Sequence, residues 1–212
     1  MGNFFTDVLQ QDARFHSRKP LNDLNLLEQV TRSLVQPVIQ EAATLGISLM
    51  VFETYRSQDR QLDLFDQGKS QLHTVGVHHY GLACDLVRDV CGQPSWEGDF
   101  SFLKVIARRH KLIWGGDWGT PCQPHKLYDA VHLQRCTVAR QAALFRGDWY
   151  PDDDYDPYEE LGGITLMASV SPCGAGTPAR ERLVGSLVPN WPIHTALAES
   201  GLTLRGVIET RL

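Results

Sequence analysis

This sequence lacks both a long hydrophobic run and a strong excess of one charge, and these absences exclude several classes of protein. No stretch approaches the roughly 20 consecutive apolar residues of a transmembrane helix, so we expect no membrane span. No stripe of lysine and arginine of the kind found in nucleic-acid-binding domains is present, and we expect no nucleic-acid partner. Hydrophobic residues make up 42% and charged residues 21% of the 212 residues, which is typical of a soluble globular protein.

Cysteine is scarce, and its spacing is irregular. The five cysteines form no C-x-x-C pair and their number is odd, so we expect reduced thiols rather than a disulfide framework. The first residues also lack the basic and then apolar segment of a secretory signal peptide. We therefore expect synthesis in the cytoplasm without a signal peptide.

The negative charge is concentrated in one short segment, which divides the chain. The formal net charge is −5, and residues 148–160 hold seven acidic residues and no basic one. The remaining 18 acidic and 20 basic residues leave the rest of the chain at +2. We predict a main domain over residues 1–147 with an N-terminal arm over 1–20, an acidic connector over 148–160, and a C-terminal extension of unknown role over 161–212.

Hydrophobic periodicity predicts an α+β fold for the main domain. Apolar residues recur at three- and four-residue steps from Leu21 to Leu45, which is typical of an amphipathic helix. Alternating or β-rich stretches predict strands, and the capping residues Ser57 and Asp99 predict the starts of further helices. The sequence thus predicts a small, mainly antiparallel sheet flanked by helices. The predicted strands are Ile47–Tyr55, Leu82–Val90 and Val131–Leu133, and the predicted helices are Leu21–Leu45, Ser57–Gly68, Asp99–Leu112 and Thr137–Phe145.

Candidate metal ligands lie in the stretch His78-His79-Tyr80-Gly81-Leu82-Ala83-Cys84-Asp85, which has the pattern H-x-x-G-x-A-x-D. Farther along the chain, Asp129 precedes His132 by three residues. Two histidines and one aspartate that leave a fourth position open form the ligand set of a catalytic zinc ion. We therefore predict that His78, Asp85 and His132 bind zinc at the sheet, and that Asp129 is the general base for the attacking water.

The spacing of these residues limits where each can lie. His78 and Asp85 are seven residues apart and cannot share one face of a regular strand, so we place His78 in the loop that enters the strand of Asp85. By the same reasoning, Asp129 must lie just before the strand of His132 or in irregular backbone. The adjacent His79 does not have the ligand spacing, and we do not expect it to bind the metal.

Four motifs follow one another between residues 25 and 135. They are Tyr55-Arg56-Ser57, the His78–Asp85 stretch, Trp114–Trp118 and Asp129–Gln134. Their order and spacing resemble those of the M15 metallopeptidases, the zinc D,D-carboxypeptidase and dipeptidase superfamily that cuts peptidoglycan peptides. The resemblance is closest to the L-alanyl-D-glutamate endopeptidase branch, which includes phage endolysins. The chain departs from that branch at Val131 and Leu133, where Pro and Phe usually flank the last histidine.

The resemblance implies roles for residues around the zinc site. It implies that Arg56 steadies the oxyanion that builds on the scissile carbonyl, or binds a substrate carboxylate through its paired donors. Tyr55, Ser57, Asp117 and Trp118 are expected to bind substrate or to shape the wall of the site.

The resemblance also implies a zinc-dependent hydrolase of the peptidoglycan stem peptide, and we expect cleavage between L-Ala and D-Glu. One alternative is a D-Ala-D-Ala carboxypeptidase or dipeptidase, and another is a non-catalytic wall-binding module that keeps zinc for stability. We expect a monomer whose partner is the stem peptide. It would act on the cell wall after release during phage lysis, or on recycled muropeptides in the cytoplasm.

Overall fold

A five-stranded antiparallel sheet lies at the centre of the fold, which the computed structural model describes for residues 2–119 and 128–162. The strands are β1 Leu49–Glu53, β2 Ala83–Val90, β3 Gln93–Ser95, β4 Ile113–Trp114 and β5 His132–Gln134. Their order is β1-β2-β5-β4, and β3 pairs with the end of β2 as a hairpin. The predicted small antiparallel sheet is therefore confirmed.

Helices flank this sheet. Within the described residues they are α1 Phe4–Asp7, α2 Gln29–Thr44, α3 Gln58–Asp66, α4 Phe102–Arg109, α5 Val138–Arg146 and α6 Pro157–Glu160. Val35 of α2 and Ile106 of α4 share one hydrophobic core with Cys84 and Leu86 of β2. Because side chains alternate along a strand, Asp85 between these two residues faces the opposite side of the sheet.

The helix predicted from Leu21 begins instead at Gln29. The carbonyl group of Leu21 accepts a hydrogen bond from the backbone N–H of Thr54 at 2.7 Å, which holds this segment beside the end of β1. The carboxylate of Glu28 then accepts two backbone N–H groups of the first turn and starts the helix. Contacts with a distant strand therefore override the helical periodicity before Gln29.

The predicted helix caps are confirmed at one position and wrong at another. Ser57 accepts a hydrogen bond from the backbone N–H of Arg60 at 3.0 Å and caps α3, as predicted. Asp99 does not cap α4, which begins at Phe102, because its carboxylate accepts from both the N–H and the hydroxyl of Ser101 in the preceding turn. Short polar side chains often make such local bonds in place of a helix cap.

The N-terminal arm packs behind the segment that follows β1. Its backbone carbonyl groups accept hydrogen bonds from two buried hydroxyls: the Tyr55 hydroxyl donates to Phe15 at 2.9 Å, and the Ser57 hydroxyl donates to Ser17 at 2.6 Å. The short helix α1 lies within the arm. The arm is thus joined to the segment that carries Arg56.

The acidic segment 148–160 is packed against the sheet and helices through polar contacts. The fully buried guanidinium of Arg135, at the end of β5, pairs with Glu28 at 3.1 Å and donates to the carbonyl oxygen of Asp153 at 3.1 Å. The hydroxyl of Tyr158 donates to a backbone carbonyl between α4 and β4 at 3.0 Å. These contacts join the segment to β5, while a domain boundary at residue 147 stays a prediction.

The predicted C-terminal extension lies outside the described residues beyond residue 162. The helices of the described ranges include none that is both long and apolar enough to cross a membrane.

Candidate metal centre

Strands β2 and β5 bring two of the predicted ligands together, and the 3-10 turn Val77–Tyr80 brings the third. Asp85 and His132 are paired directly across the antiparallel strands, so their side chains lie on the same face. The turn ends at Gly81 with φ of 70°, and a Cβ atom there would lie 2.9 Å from a backbone oxygen. Only glycine fits this turn, which places His78 at the entrance to β2 as predicted.

The three predicted ligands meet in one buried cluster. Nε2 of His78 lies 3.1 Å from Oδ1 of Asp85 and 3.1 Å from Nδ1 of His132. Nδ1 of His132 lies 3.0 Å from the same carboxylate oxygen. The exposed fractions of His78, Asp85 and His132 are only 2%, 6% and 5%. This close spacing of ligand atoms is that of groups able to share one metal ion.

The outer neighbours of the two histidines fix their proton positions. Nδ1 of His78 lies 3.1 Å from the carbonyl oxygen of Thr54, which can only accept, so Nδ1 carries the proton. Nε2 of His132 lies 3.0 Å from Oε1 of Gln134 and donates to it in the same way. Each ring therefore turns its lone pair towards Asp85.

This arrangement fits a zinc ion. Two imidazole lone pairs and a carboxylate oxygen face one another, which is unfavourable unless a cation lies among them. Nitrogen and oxygen donors from His78, Asp85 and His132 are a set that zinc binds while keeping a further position open. These three residues would hold the ion.

The charges within the cluster shift the pKa of its members. Burial alone would raise the pKa of Asp85, but when the histidines are protonated the charge of His78 and the hydrogen bond from His132 outweigh burial and lower that pKa well below its usual range. Burial would lower the pKa of His132, but the hydrogen bond and the charge of Asp85 raise it above its usual value. A proton on His132 beside Asp85 takes the place of a metal ion, so protonation competes with metal binding.

Asp129 lies at the edge of the cluster, just before β5 as predicted. Its backbone N–H donates to the carbonyl oxygen of Gly115 at 3.2 Å. A Cβ atom at Gly115 would lie 2.5 Å from the carbonyl oxygen of Asp129 and 3.1 Å from Cβ of His132, so glycine permits this close approach. Burial and the nearby charge of Asp85 raise the pKa of the Asp129 carboxyl, which makes it a stronger base than an exposed aspartate.

Arg56 connects the cluster to a buried glutamate. Its Nη2 donates to Oδ2 of Asp85 at 3.1 Å, and its Nε donates to Oε2 of Glu53 at 2.7 Å. The guanidinium thereby holds the oxygen of Asp85 that does not face the histidines. Arg56 also lines the cavity in front of the cluster, where it could contact a bound molecule.

This cavity has an aromatic wall and a polar wall. The ring of Trp118 lies 4.9 Å from the ring of His132 and lines the cavity, while its role towards a substrate stays a prediction. On the other side, the buried amide of Gln61 donates to the hydroxyl of Ser70 at 2.6 Å and holds the loop after α3 in place. Asp117 pairs with Lys104 at 3.0 Å and is not among the residues that line the cavity.

Tyr55 and Ser57, expected to contact substrate, are 1% and 2% exposed and do not line the cavity. Both side chains hold the N-terminal arm instead. His79 also packs against the N-terminal arm: its ring centroid lies 5.1 Å from that of Phe5 and 5.4 Å from that of Phe15. Burial lowers the pKa of His79, which keeps it neutral among these aromatic rings. The structure therefore joins these residues to the arm rather than to the cluster.

Sequence reasoning missed Gln61 and Gln134, both buried and both on the cavity wall. Gln134 lies inside the last motif, two residues after His132, so period-two alternation along a strand could have placed it beside that ring. Gln61 follows the helix cap at Ser57 by one turn, but its partners lie in a loop that no local pattern predicts.

The chain is similar in sequence to the peptidoglycan L-alanyl-D-glutamate endopeptidase CwlK of Bacillus subtilis (strain 168). The two are 27% identical over 126 residues, which cover 49% of this chain and 75% of that protein. No protein-family profile matches the chain.

Among solved structures, the chain is similar to the L-Ala D-Glu endopeptidase ChiX of Serratia marcescens, with 26% identity, a TM-score of 0.43, and coverage of 57% of this chain and 86% of that one. It is also similar to the L,D-carboxypeptidase DacB of Streptococcus pneumoniae, with 16% identity, a TM-score of 0.44, and coverage of 64% and 77%. The sequence match to CwlK, taken with the four motifs and the buried cluster, confirms the resemblance of this chain to the M15 zinc metallopeptidases.

Proposed function

We propose that this chain is a zinc-dependent peptidase that hydrolyses the L-Ala–D-Glu amide bond of the peptidoglycan stem peptide. The observation that carries the proposal is the buried cluster of His78, Asp85 and His132, with Asp129 at its edge on the same cavity. The similarity to an L-alanyl-D-glutamate endopeptidase supports the choice of bond. A site that served stability alone would need no carboxylate such as Asp129 beside an open position.

When bound, zinc supplies a Lewis acid for the scissile carbonyl and the attacking water. His78, Asp85 and His132 would hold that ion, and Arg56, itself bound by Glu53, holds the carboxylate of Asp85. The hydrophobic wall formed by Trp118 excludes water from one side of the site.

Asp129 moves the proton. Its carboxylate accepts a proton from the attacking water as the water oxygen bonds to the carbonyl carbon. Asp129 then returns this proton to the amide nitrogen as the C–N bond breaks, which gives a carboxylic acid and an amine. The raised pKa of Asp129 suits both halves of this transfer.

Arg56 stabilises negative charge on the carbonyl oxygen. The guanidinium lines the cavity, and its Nη1 makes a long hydrogen bond of 3.4 Å to Gln61. A substrate oxygen could replace that weak bond with a stronger, charge-assisted one. The bonds of Arg56 to Glu53 and Asp85 hold it in the orientation that this contact needs.

Digestion of purified peptidoglycan followed by mass spectrometry tests the proposal. We expect stem peptides with a new amino-terminal D-Glu, and muramic acid residues that keep a single L-Ala. Release of D-Ala instead would identify a carboxypeptidase or dipeptidase. Binding to the wall without any new amine would identify a non-catalytic module. The same products would form on whole wall after phage lysis or on recycled muropeptides in the cytoplasm, so both substrates belong in the assay.

A further inference from the structure

Gln134 is a buried side chain that contacts the zinc cluster but takes no part in the reaction described above. It is fully buried, lies two residues after His132 on β5, and lines the cavity. Residues two apart on a strand lie on the same face, so its amide is beside the imidazole of His132. A buried amide without hydrogen-bond partners would destabilise the fold, because each unpaired polar atom loses its hydration.

The contacts of this amide can be satisfied in only one orientation. The carbonyl oxygen of Cys136 has no hydrogen to donate, so the NH₂ group of Gln134 faces it and donates. The amide oxygen Oε1 therefore faces Nε2 of His132 at 3.0 Å. Because an amide oxygen only accepts, Nε2 of His132 carries the ring proton.

The proton on Nε2 decides which atom of His132 can bind a metal. A neutral imidazole protonated on Nε2 keeps its lone pair on Nδ1. Nδ1 is the atom that lies 3.0 Å from Oδ1 of Asp85 and 3.1 Å from Nε2 of His78. The fixed backbone carbonyl of Cys136 is thus linked, through Gln134, to the nitrogen that faces the other two ligands.

We propose that Gln134 is a positioning residue that holds His132 in the tautomer and orientation that bind zinc through Nδ1. The inference rests on the zinc site of the proposed function and adds a residue to it. For His78 the same duty falls to the backbone carbonyl of Thr54, which no side-chain substitution can remove. Gln134 is therefore the position at which the effect can be tested. Hydrogen-bond partners of this kind typically contribute about 10–100-fold to metal affinity.

The test compares three variants of the full chain. Gln134→Leu is close in volume and removes both hydrogen bonds, whereas Gln134→Glu keeps an acceptor for His132 but replaces the donor to Cys136 with a carboxylate oxygen. Gln93→Leu makes the same chemical change at an exposed position on β3, away from the cluster. Zinc affinity is measured by competition with a chelator, and folding by circular dichroism.

We expect zinc affinity to fall about 10–100-fold in Gln134→Leu and to stay within a few-fold of wild type in Gln134→Glu and Gln93→Leu. Nitrogen-15 NMR of the zinc-loaded wild type should show His132 bound through Nδ1, with a slowly exchanging proton on Nε2. In Gln134→Leu that proton should exchange faster, a change that a purely structural role for Gln134 would not produce.

Two outcomes would overturn the inference while leaving the zinc site intact. The first is a zinc-loaded wild type in which Nε2 of His132 is the metal-bound nitrogen, a result that needs no variant to fold. The second is a folded Gln134→Glu variant that loses as much zinc affinity as Gln134→Leu, since the acceptor would then be irrelevant. A folded wild type that binds no zinc would instead overturn the proposed function itself.

Discussion

At the scale of single residues, a substitution at Asp129 tests the proposed general base separately from the proposed metal ligands. Asp129→Asn keeps the size of the side chain but cannot accept a proton, and a general base typically contributes about 10²–10⁴-fold in rate. We therefore expect turnover on peptidoglycan to fall by roughly that factor while zinc stays bound. Zinc content and lytic rate are measured on the same sample.

The control for this variant is Asp66→Asn, an identical change at an exposed position at the end of α3. It should leave rate and zinc content unchanged. Full activity in Asp129→Asn would show that another group takes the proton. Loss of zinc would show that Asp129 is a ligand.

Two adjacent histidines allow a second comparison at this scale. His78→Ala removes a nitrogen from the cluster, so we expect zinc binding to be lost. His79→Ala removes a ring that packs against Phe5 and Phe15, so we expect full zinc content but a loss of roughly 0.5–3 kcal/mol in the free energy of unfolding. Elemental analysis and urea unfolding of both variants check the pair. Loss of zinc from His79→Ala, with zinc retained in His78→Ala, would show that His79 is the metal ligand and His78 is not.

At the scale of elements, the segment 148–160 and strand β5 depend on each other. A chain that ends at residue 147 loses the carbonyl groups that accept hydrogen bonds from the buried guanidinium of Arg135. Each buried donor left without an acceptor costs about 1–3 kcal/mol. We therefore expect the 1–147 chain to be clearly less stable than a chain that ends at 162.

Urea unfolding of the two truncated chains gives this comparison, and the chain that ends at 162 is the matched control. Equal midpoints and slopes of the two urea unfolding curves would show that the acidic segment is a connector that does not stabilise the fold. Zinc content of both chains shows whether the loss of these hydrogen bonds also disturbs metal binding by His132, which lies three residues before Arg135 on the chain.

The elements that the sequence predicts well are those fixed by local chemistry. Strand β2 follows from its alternation and α3 from the cap at Ser57, and the spacing of the motifs predicts that His78, Asp85 and His132 lie close together. The start of α2 was wrong because Leu21 bonds to Thr54, a contact that no local pattern shows. The contacts of Arg135 were missed for the same reason, since its partners lie more than 100 residues before it and about 18 residues after it.

At the scale of the whole molecule, zinc should stabilise the fold, because its ligands come from segments that are far apart in the sequence. A ligand that binds only the folded state adds about 2.7 kcal/mol when its free concentration is 100 times its Kd. We expect the thermal unfolding midpoint to rise with zinc and to fall when a chelator removes it. Lytic activity on peptidoglycan should also fall when the chelator removes zinc. His132→Ala should show no zinc-dependent shift, and an equal shift in that variant would place the stabilising ion elsewhere.

The glycine at 115 makes the site unusually intolerant to mutation. A methyl group there would overlap the Asp129 carbonyl, whereas Gly46, Gly68 and Gly147 have no atom within 4 Å of the position that a Cβ atom would take. A saturation library sorted for zinc retention should therefore separate two kinds of glycine. Positions 46, 68 and 147 should accept asparagine, which tolerates their left-handed backbone, while position 115 should accept glycine alone. Recovery of folded, zinc-binding alanine at 115 would mean that the turn after β4 can move by about half an ångström without releasing the metal.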